Sequence, residues 1–456
     1  MARRAEDIRK LGDALASIKR SCNIIPVPLD RVEIFDEEYR PAFDRGTIEV
    51  NEYLEDHLRN KLKGRKSYLG ARTSHVRFSA FIDGVQRVAK VAVVPEYGTP
   101  IFVAQMAAGV LTRETRILKV PSDVERPLFS KFLIIAPFEG LEHAGVEGVK
   151  EGLMSALGEE AVEDHEFVEN IMDEEKKFVL CDITFPSIDK SRRESFRDSM
   201  DLDRQTYRPI MGDELYNVSH ITTRARGRAA TLRQILEVAV LMEYRRVHAE
   251  EYILIDGPLI YPEKWAKKLK GKFGGRSLGD LFRNAIGYVK TLRAKPSSIL
   301  LKDAIKLGEG ERTKAFILSR EVDGIGEKED LIAYEVPHIS WYVRVRNVYG
   351  SGNIPTLYGL VRVDTYVTTY GYDRIRELMN SRDPEQVIMA INSLSEAVLA
   401  ERYPLPSSRH RRDVMLMPIE EVEKYLPILK CEIEEMDDVI VSYEATHDRP
   451  DLFSVE

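Results

Sequence analysis

Cysteine is scarce in this 456-residue chain: Cys22, Cys181 and Cys431 are widely spaced and odd in number. They form no CxxC pair, which excludes a disulfide framework and a thiolate zinc site. No uninterrupted apolar run approaches the ~20 residues needed to cross a bilayer. The first residues, "MARRAEDIRKLGDALASIKR", are charged throughout and lack the apolar centre of a signal peptide, so a cytoplasmic protein is expected. There is no GxxxxGK[ST] loop. "KLKGKFGGRSLGD" at 268–280 is basic and glycine-rich but has the wrong order for a Walker A turn, so no ATPase motor is visible. Neither a helix-turn-helix nor a zinc motif is present.

What is present is ordinary for a globular chain, with 43% hydrophobic and 31% charged residues. The length exceeds one simple core. The net charge of −8 is a weak guide to partners, because a local basic patch can bind phosphate on an acidic protein. The distribution is uneven: acids dominate from Glu139 to Glu175, whereas 222–233 reads "TTRARGRAATLR". That contrast reads either as a solvated acidic surface beside a basic strip or as a groove for a polyanion.

Ile8, Leu11, Leu15 and Ile18 fall at helical spacing within 5–19. "VRFSAFIDG" reads as a strand. "VQRVAKVAVVPEYGTPIFVAQMAAGVL" follows as two strands around a turn at Tyr97-Gly98-Thr99, and "FSKFLIIAPFEG" as another. The span of about 116–226 reads as an insertion, partly helical and partly loop. A long helix is expected from about Arg228, then the strand "YILIDGPLI", then helical segments through "LGDLFRNAIGYVKTLRA". "AYEVPHISWYVRVRNVYG" and "TLYGLVRVDTYVTT" suggest a late hairpin turning at 349–353, followed by a helix near 383–400. The division expected is an N-terminal helical region (1–60), a main domain (61–430), and a C-terminal strand with a polar tail (431–456).

Two apolar runs, "SAFIDG" and "ILIDG", finish in the same triplet, placing Asp83 and Asp256 before a glycine. One such aspartate reads as the start of a turn. Two on adjacent parallel strands would set carboxylates side by side, and close carboxylates repel unless one takes up a proton. A divalent cation removes that cost, and Mg²⁺ or Mn²⁺ prefers oxygen ligands. Such a site suits phosphodiester chemistry. The helix between offers a third acid. Glu243 lies within its apolar stripe, and Glu237 lies beside Arg233, where an active-site role and a surface salt bridge are both open.

"FIDG" with its hairpin, "LRQILE", "LIDGPL", "GYVKTLRA", "GLVRVD" and "YPLPSSRH" together resemble the NurA nuclease family, in order over about residues 75–425, with 116–226 matching least. The resemblance implies an α/β fold with an RNase H-like (Piwi-related) mixed sheet flanked by helices. It further implies a metal-dependent DNA nuclease, with single-strand endonuclease and 5′–3′ exonuclease activity on DNA ends. A HerA-like hexameric ATPase partner, a homodimer, a role in end resection and Mn²⁺ (or Mg²⁺) as cofactor are implied as well. By position, Asp83, Glu237, Asp256 and His410 would be the metal ligands. Glu237 is favoured over Glu243 by the Arg-x-x-x-Glu pattern through Arg233. Tyr403 would lie near the histidine, and Lys290 would hold a phosphate. "SSRHRRD" departs from the smoother, more apolar approach to the histidine expected of the family.

DNA contacts are expected from Arg224, Arg226, Arg228 and Arg233, and from Arg409, Arg411 and Arg412, since arginine clusters neutralise phosphates without reading sequence. Trp341, Tyr342 and Tyr349 read either as base-stacking platforms or as core aromatics. Two rivals to the nuclease remain: a catalytically silent DNA-end adaptor for the translocase, and a nucleotidyl-transfer enzyme on the same core. A defence nuclease is a third assignment of the same chemistry.

Overall fold

The computed structural model describes residues 2–22, 76–185, 209–259, 278–290, 294–296, 298–322, 338–346, 357–366, 385–405 and 410–426. Short pieces at 24–26, 34–35, 45–53, 67–68 and 272 are described as well. The turn at 349–353, Arg409, most of 268–280 and the tail from 431 lie outside the described residues. The chain is a mixed α/β protein built on one large mixed sheet flanked by helices.

The elements that position the site are, in chain order, α1 (Ala2–Cys22), β1 (Ala80–Val94), β2 (Thr99–Glu114), β3 (Leu128–Ala136), α2 (Val149–Leu157) and β4 (Phe178–Asp182). They continue with α3 (Val218–Val247), β5 (Ile253–Asp256), β6 (Ala285–Val289), β7 (His338–Arg344) and β8 (Leu360–Tyr366). Helices α4 (Glu385–Ala400), α5 (His410–Val414) and α6 (Met417–Tyr425) complete the set.

Strands β1, β2 and β3 form an antiparallel meander, and β4 adds parallel to β3. On the other side of β1, β5 pairs parallel and β6 pairs parallel to β5. Then β8 joins antiparallel to β6, and β7 antiparallel to β8. The path through the centre is thus β4-β3-β2-β1-β5-β6-β8-β7.

Four expectations are corrected or extended here. "FIDG" does not end its strand: Asp83 and Gly84 lie inside β1, which runs on to Val94 before turning through Gly98 at φ +66°. The span 116–226, expected to be partly helical and partly loop, also contributes strands β3 and β4 to the central sheet. Helix α3 begins at Val218, where Asn217 accepts the backbone N–H of His220 at 3.1 Å, a capping signal that the apolar period could not register. Residues 285–289 form a strand buried along its whole length. Ile286 and Val289 favour the pleat, and at Gly287 any side chain would meet the Gly257 carbonyl at 2.8 Å. The late hairpin strands, the helix near 383–400 and the first helix form as expected.

Strand alternation sorts the apolar residues into two cores, one on each face. Ala80, Ile82, Ile253 and Ile255 face the core that includes α3; α1 docks into it through Ile8, Leu11 and Ile18. Phe81, Leu254, Ile286 and Tyr288 face the core of α4 and α6. Trp341 and Tyr342 are fully buried, and the Trp341 indole N–H donates to Ser395 Oγ at 2.9 Å, which settles both as core aromatics. Among the described residues, no helix is long and apolar enough to cross a membrane.

Candidate functional site

The two Ile-Asp-Gly triplets meet. Parallel register pairs Ile82 with Ile255, so the next residues, Asp83 and Asp256, stand beside each other. By alternation both follow Phe81 and Leu254 toward the α6 face. Lys290, two residues beyond Tyr288 on the neighbouring strand, follows the same parity. Helix α6 packs on β1 through Ile419 and Val422 and brings Glu423 over the pair. Ligand oxygens of Asp83, Asp256 and Glu423 all lie within 4.8 Å of one another.

Lys290 Nζ sits 2.6 Å from Asp256 Oδ2 and 3.5 Å from Glu423 Oε1, and contacts Met415 Sδ at 3.4 Å. Asp83 is 1% exposed. Its Oδ1 accepts the Gly84 N–H at 2.8 Å, while Oδ2 is buried without a hydrogen-bond partner. Burial first, and then the Asp256 carboxylate, push the Asp83 carboxyl well above the ordinary range; Lys290 opposes this, and Glu423 and Glu237 add to it. Burial also raises Asp256, with Lys290 again opposing. For Lys290, burial works to lower the value, but the attraction of Asp256, Asp83 and Glu423 outweighs it and the ammonium is held firmly charged.

Glu423 is the residue that the sequence reading missed. Three acids in "EEVEK" look like a solvated face, yet Glu423 stands four residues after Ile419 and three before Leu426, on the side of the helix that faces the sheet. Glu237 comes to the sheet from the other face. At Gly84 an added Cβ would lie 2.5 Å from Glu237 Oε1 and 3.0 Å from Arg233 Cγ, so glycine here serves close approach of helix to strand rather than an unusual φ. Arg233 donates to the Gly84 carbonyl at 2.8 Å, and its Nε stands 3.6 Å from Glu237. Glu237 therefore lies behind the strand, near Asp83 in charge but outside the carboxylate cluster. Glu243 is further off, paired with Arg246 at 2.8 Å.

His410 opens α5, on the segment that leads into α6; its side chain, like that of Arg411, lies outside the described residues. The Tyr288 hydroxyl donates to the Val414 carbonyl at 2.5 Å and ties that segment to the sheet beside Lys290. Tyr403 packs at the edge of the α6 core, with Arg412 over its ring at 5.2 Å.

The arginine strip divides by helical geometry. Arg228 is 4% exposed, forms an ion pair with Asp164 and donates to the Asp182 and Phe185 carbonyls at 3.0 Å each. Arg224, one turn earlier, donates to the carbonyls of Ile183 at 3.2 Å and Thr184 at 2.9 Å, and burial lowers its pKa to about 10. These two cross-link α3 to the strand end, Arg228 buried and Arg224 partly exposed. Arg226, two residues round the helix, is partly exposed.

Comparison with known proteins adds little. No protein-family profile matches the chain. A 35-residue stretch is 63% identical to part of a phenylalanine–tRNA ligase beta subunit from Thermofilum pendens, covering 8% of this chain and 6% of that one. The chain thus matches only a small fraction of that relative, too little to carry fold or function.

Proposed function

We propose that this protein is a metal-dependent deoxyribonuclease of RNase H-like fold. The observation that carries the reading is the clustering of Asp83, Asp256 and Glu423, in which Asp83 keeps a buried oxygen without a hydrogen-bond partner. Three carboxylates against one ammonium leave a buried site two charges negative, which a protein avoids unless a cation belongs there. Oxygen donors alone suit Mg²⁺ or Mn²⁺. Strand order supports the fold assignment: an antiparallel meander β1–β3, then β5 and β6 parallel to β1 with α3 before them, make the mixed sheet flanked by helices that the resemblance to NurA nucleases implies.

Asp83, Asp256 and Glu423 would hold the ion, which when bound supplies a water acidified to near-neutral pKa and charge for the phosphate. Asp83 and Asp256 orient it from rigid strands. Lys290 faces the same space as a fixed cation able to offset phosphate charge. The Glu237–Arg233 pair braces β1 from behind at Gly84. His410, by its place at the start of α5, is proposed to serve near the leaving oxygen. DNA ends, a HerA-like hexameric ATPase and a second copy of the chain are the proposed partners; the acidic site by itself argues for none of them.

The test is degradation of end-labelled linear DNA with Mn²⁺, Mg²⁺ or chelator, on the wild type and on Asp83→Ala and Asp256→Ala. Loss of metal-dependent cleavage with retained folding and DNA binding is expected. Full activity in either variant would remove the proposal.

A further inference from the structure

We infer that Lys290 takes the place of a second metal ion, so that the cluster holds a single divalent cation. The inference rests on the metal reading above and deepens it. Carboxylate sites for phosphodiester chemistry often hold two ions about 4 Å apart. Here one oxygen of Asp256 is engaged by the Lys290 ammonium at 2.6 Å and one of Glu423 at 3.5 Å, whereas Asp83 Oδ2 has no partner. On the Asp83 side a buried oxygen lacks a partner, and the half between Asp256 and Glu423 already contains a cation.

Charge leads to the same count. Asp83, Asp256 and Glu423 carry three negative charges and Lys290 one positive, so one divalent ion brings the group to neutrality. A second would leave two uncompensated positive charges in a site where Asp83 is 1% exposed. Glu237 cannot absorb that excess, because it lies behind β1 with Arg233 at 3.6 Å. Lys290 is also poorly placed to withdraw: its side chain is 15% exposed and Met415 Sδ lies 3.4 Å from its nitrogen. Such a lysine supplies the second positive charge permanently, independent of metal concentration.

The experiment counts Mn²⁺ bound to the full chain by electron paramagnetic resonance of the free ion, with the bound spectrum recorded for exchange coupling between two ions. Wild type is expected to bind one Mn²⁺ with an uncoupled spectrum. Lys290→Met, which keeps length and removes charge, is expected to bind two and to show coupling. Lys290→Gln serves the same purpose if the methionine variant does not fold, as judged by circular dichroism. Two ions in the wild type would overturn the inference and leave the metal reading standing. One ion in both wild type and a folded Lys290 variant would overturn the role given to the lysine. No specific Mn²⁺ in the wild type would remove the metal reading itself, a separate outcome.

Discussion

Asp83→Asn should make the metal-free protein more stable while making it indifferent to metal. The substitution keeps shape: the amide oxygen can still accept the Gly84 N–H, and the new NH₂ can donate toward Asp256 or Glu423. What disappears is a buried negative charge with two like neighbours within 4.8 Å. At an effective dielectric of about 20, each such repulsion is worth about 3 kcal/mol at about 5 Å, and the attraction lost to Lys290 cancels one of the two. A net gain of about 1–3 kcal/mol follows for the variant in chelator near neutral pH. The sign of the pH dependence follows from the raised Asp83 carboxyl. The unfolded chain loses this proton first, so wild-type stability falls as pH climbs from the ordinary aspartate range through the raised native value. The advantage of the variant should therefore be present at neutral pH and vanish in acid. Saturating Mn²⁺ should restore the wild type by about 2.7 kcal/mol at a hundredfold excess over Kd and leave the variant unchanged. Urea unfolding at several pH values, with chelator or Mn²⁺, reads all of this. A variant less stable than wild type in chelator at neutral pH, or equally stabilised by Mn²⁺, would refute the reasoning.

Two further outcomes concern the arginines of α3. Arg228→Ala removes the cation that pairs with Asp164, itself 1% exposed; urea unfolding should show a loss of about 3–5 kcal/mol, and a loss under 1 kcal/mol would contradict a structural role. Arg226→Ala should weaken DNA binding on all sequences alike and reduce the salt slope by about 1 in fluorescence anisotropy; a loss confined to particular sequences would rule out a backbone contact.

The pair Asp83 and Asp256 was legible because each closes a short apolar run, and that pattern survives whether or not the strand continues. The continuation of β1 to Val94 was not legible, since Gly84 reads as a break when its use is to admit the Glu237 side chain. Face assignment failed for a related reason. Parity along a strand shows which residues share a side, but not which helix covers that side, so the choice was confined to Glu237 and Glu243 and Glu423 was overlooked. The cross-links that Arg224 and Arg228 make were not legible because their acceptors are mostly backbone carbonyls at the end of a strand, groups that leave no trace in side-chain pattern. The segment 285–289 looked helical by association with its neighbours; the close fit of Gly287 under the Gly257 carbonyl depends on the chain reversing after Asp256 at Gly257, φ +125°.

Because Asp83 is the fourth residue of a fifteen-residue strand that pairs with β2 along its length and with β5 up to Ile82, it cannot shift without dragging the hairpin with it. Glu423 rides instead on a nine-residue helix held mainly by Ile419, Val422 and Leu426. On the proposed metal reading, accommodation of a substrate or of a differently sized ion would then fall on the helical side. The sheet acts as the fixed jaw and α6 as the one with play, so mutations that loosen α6 should alter ion preference before they alter the fold.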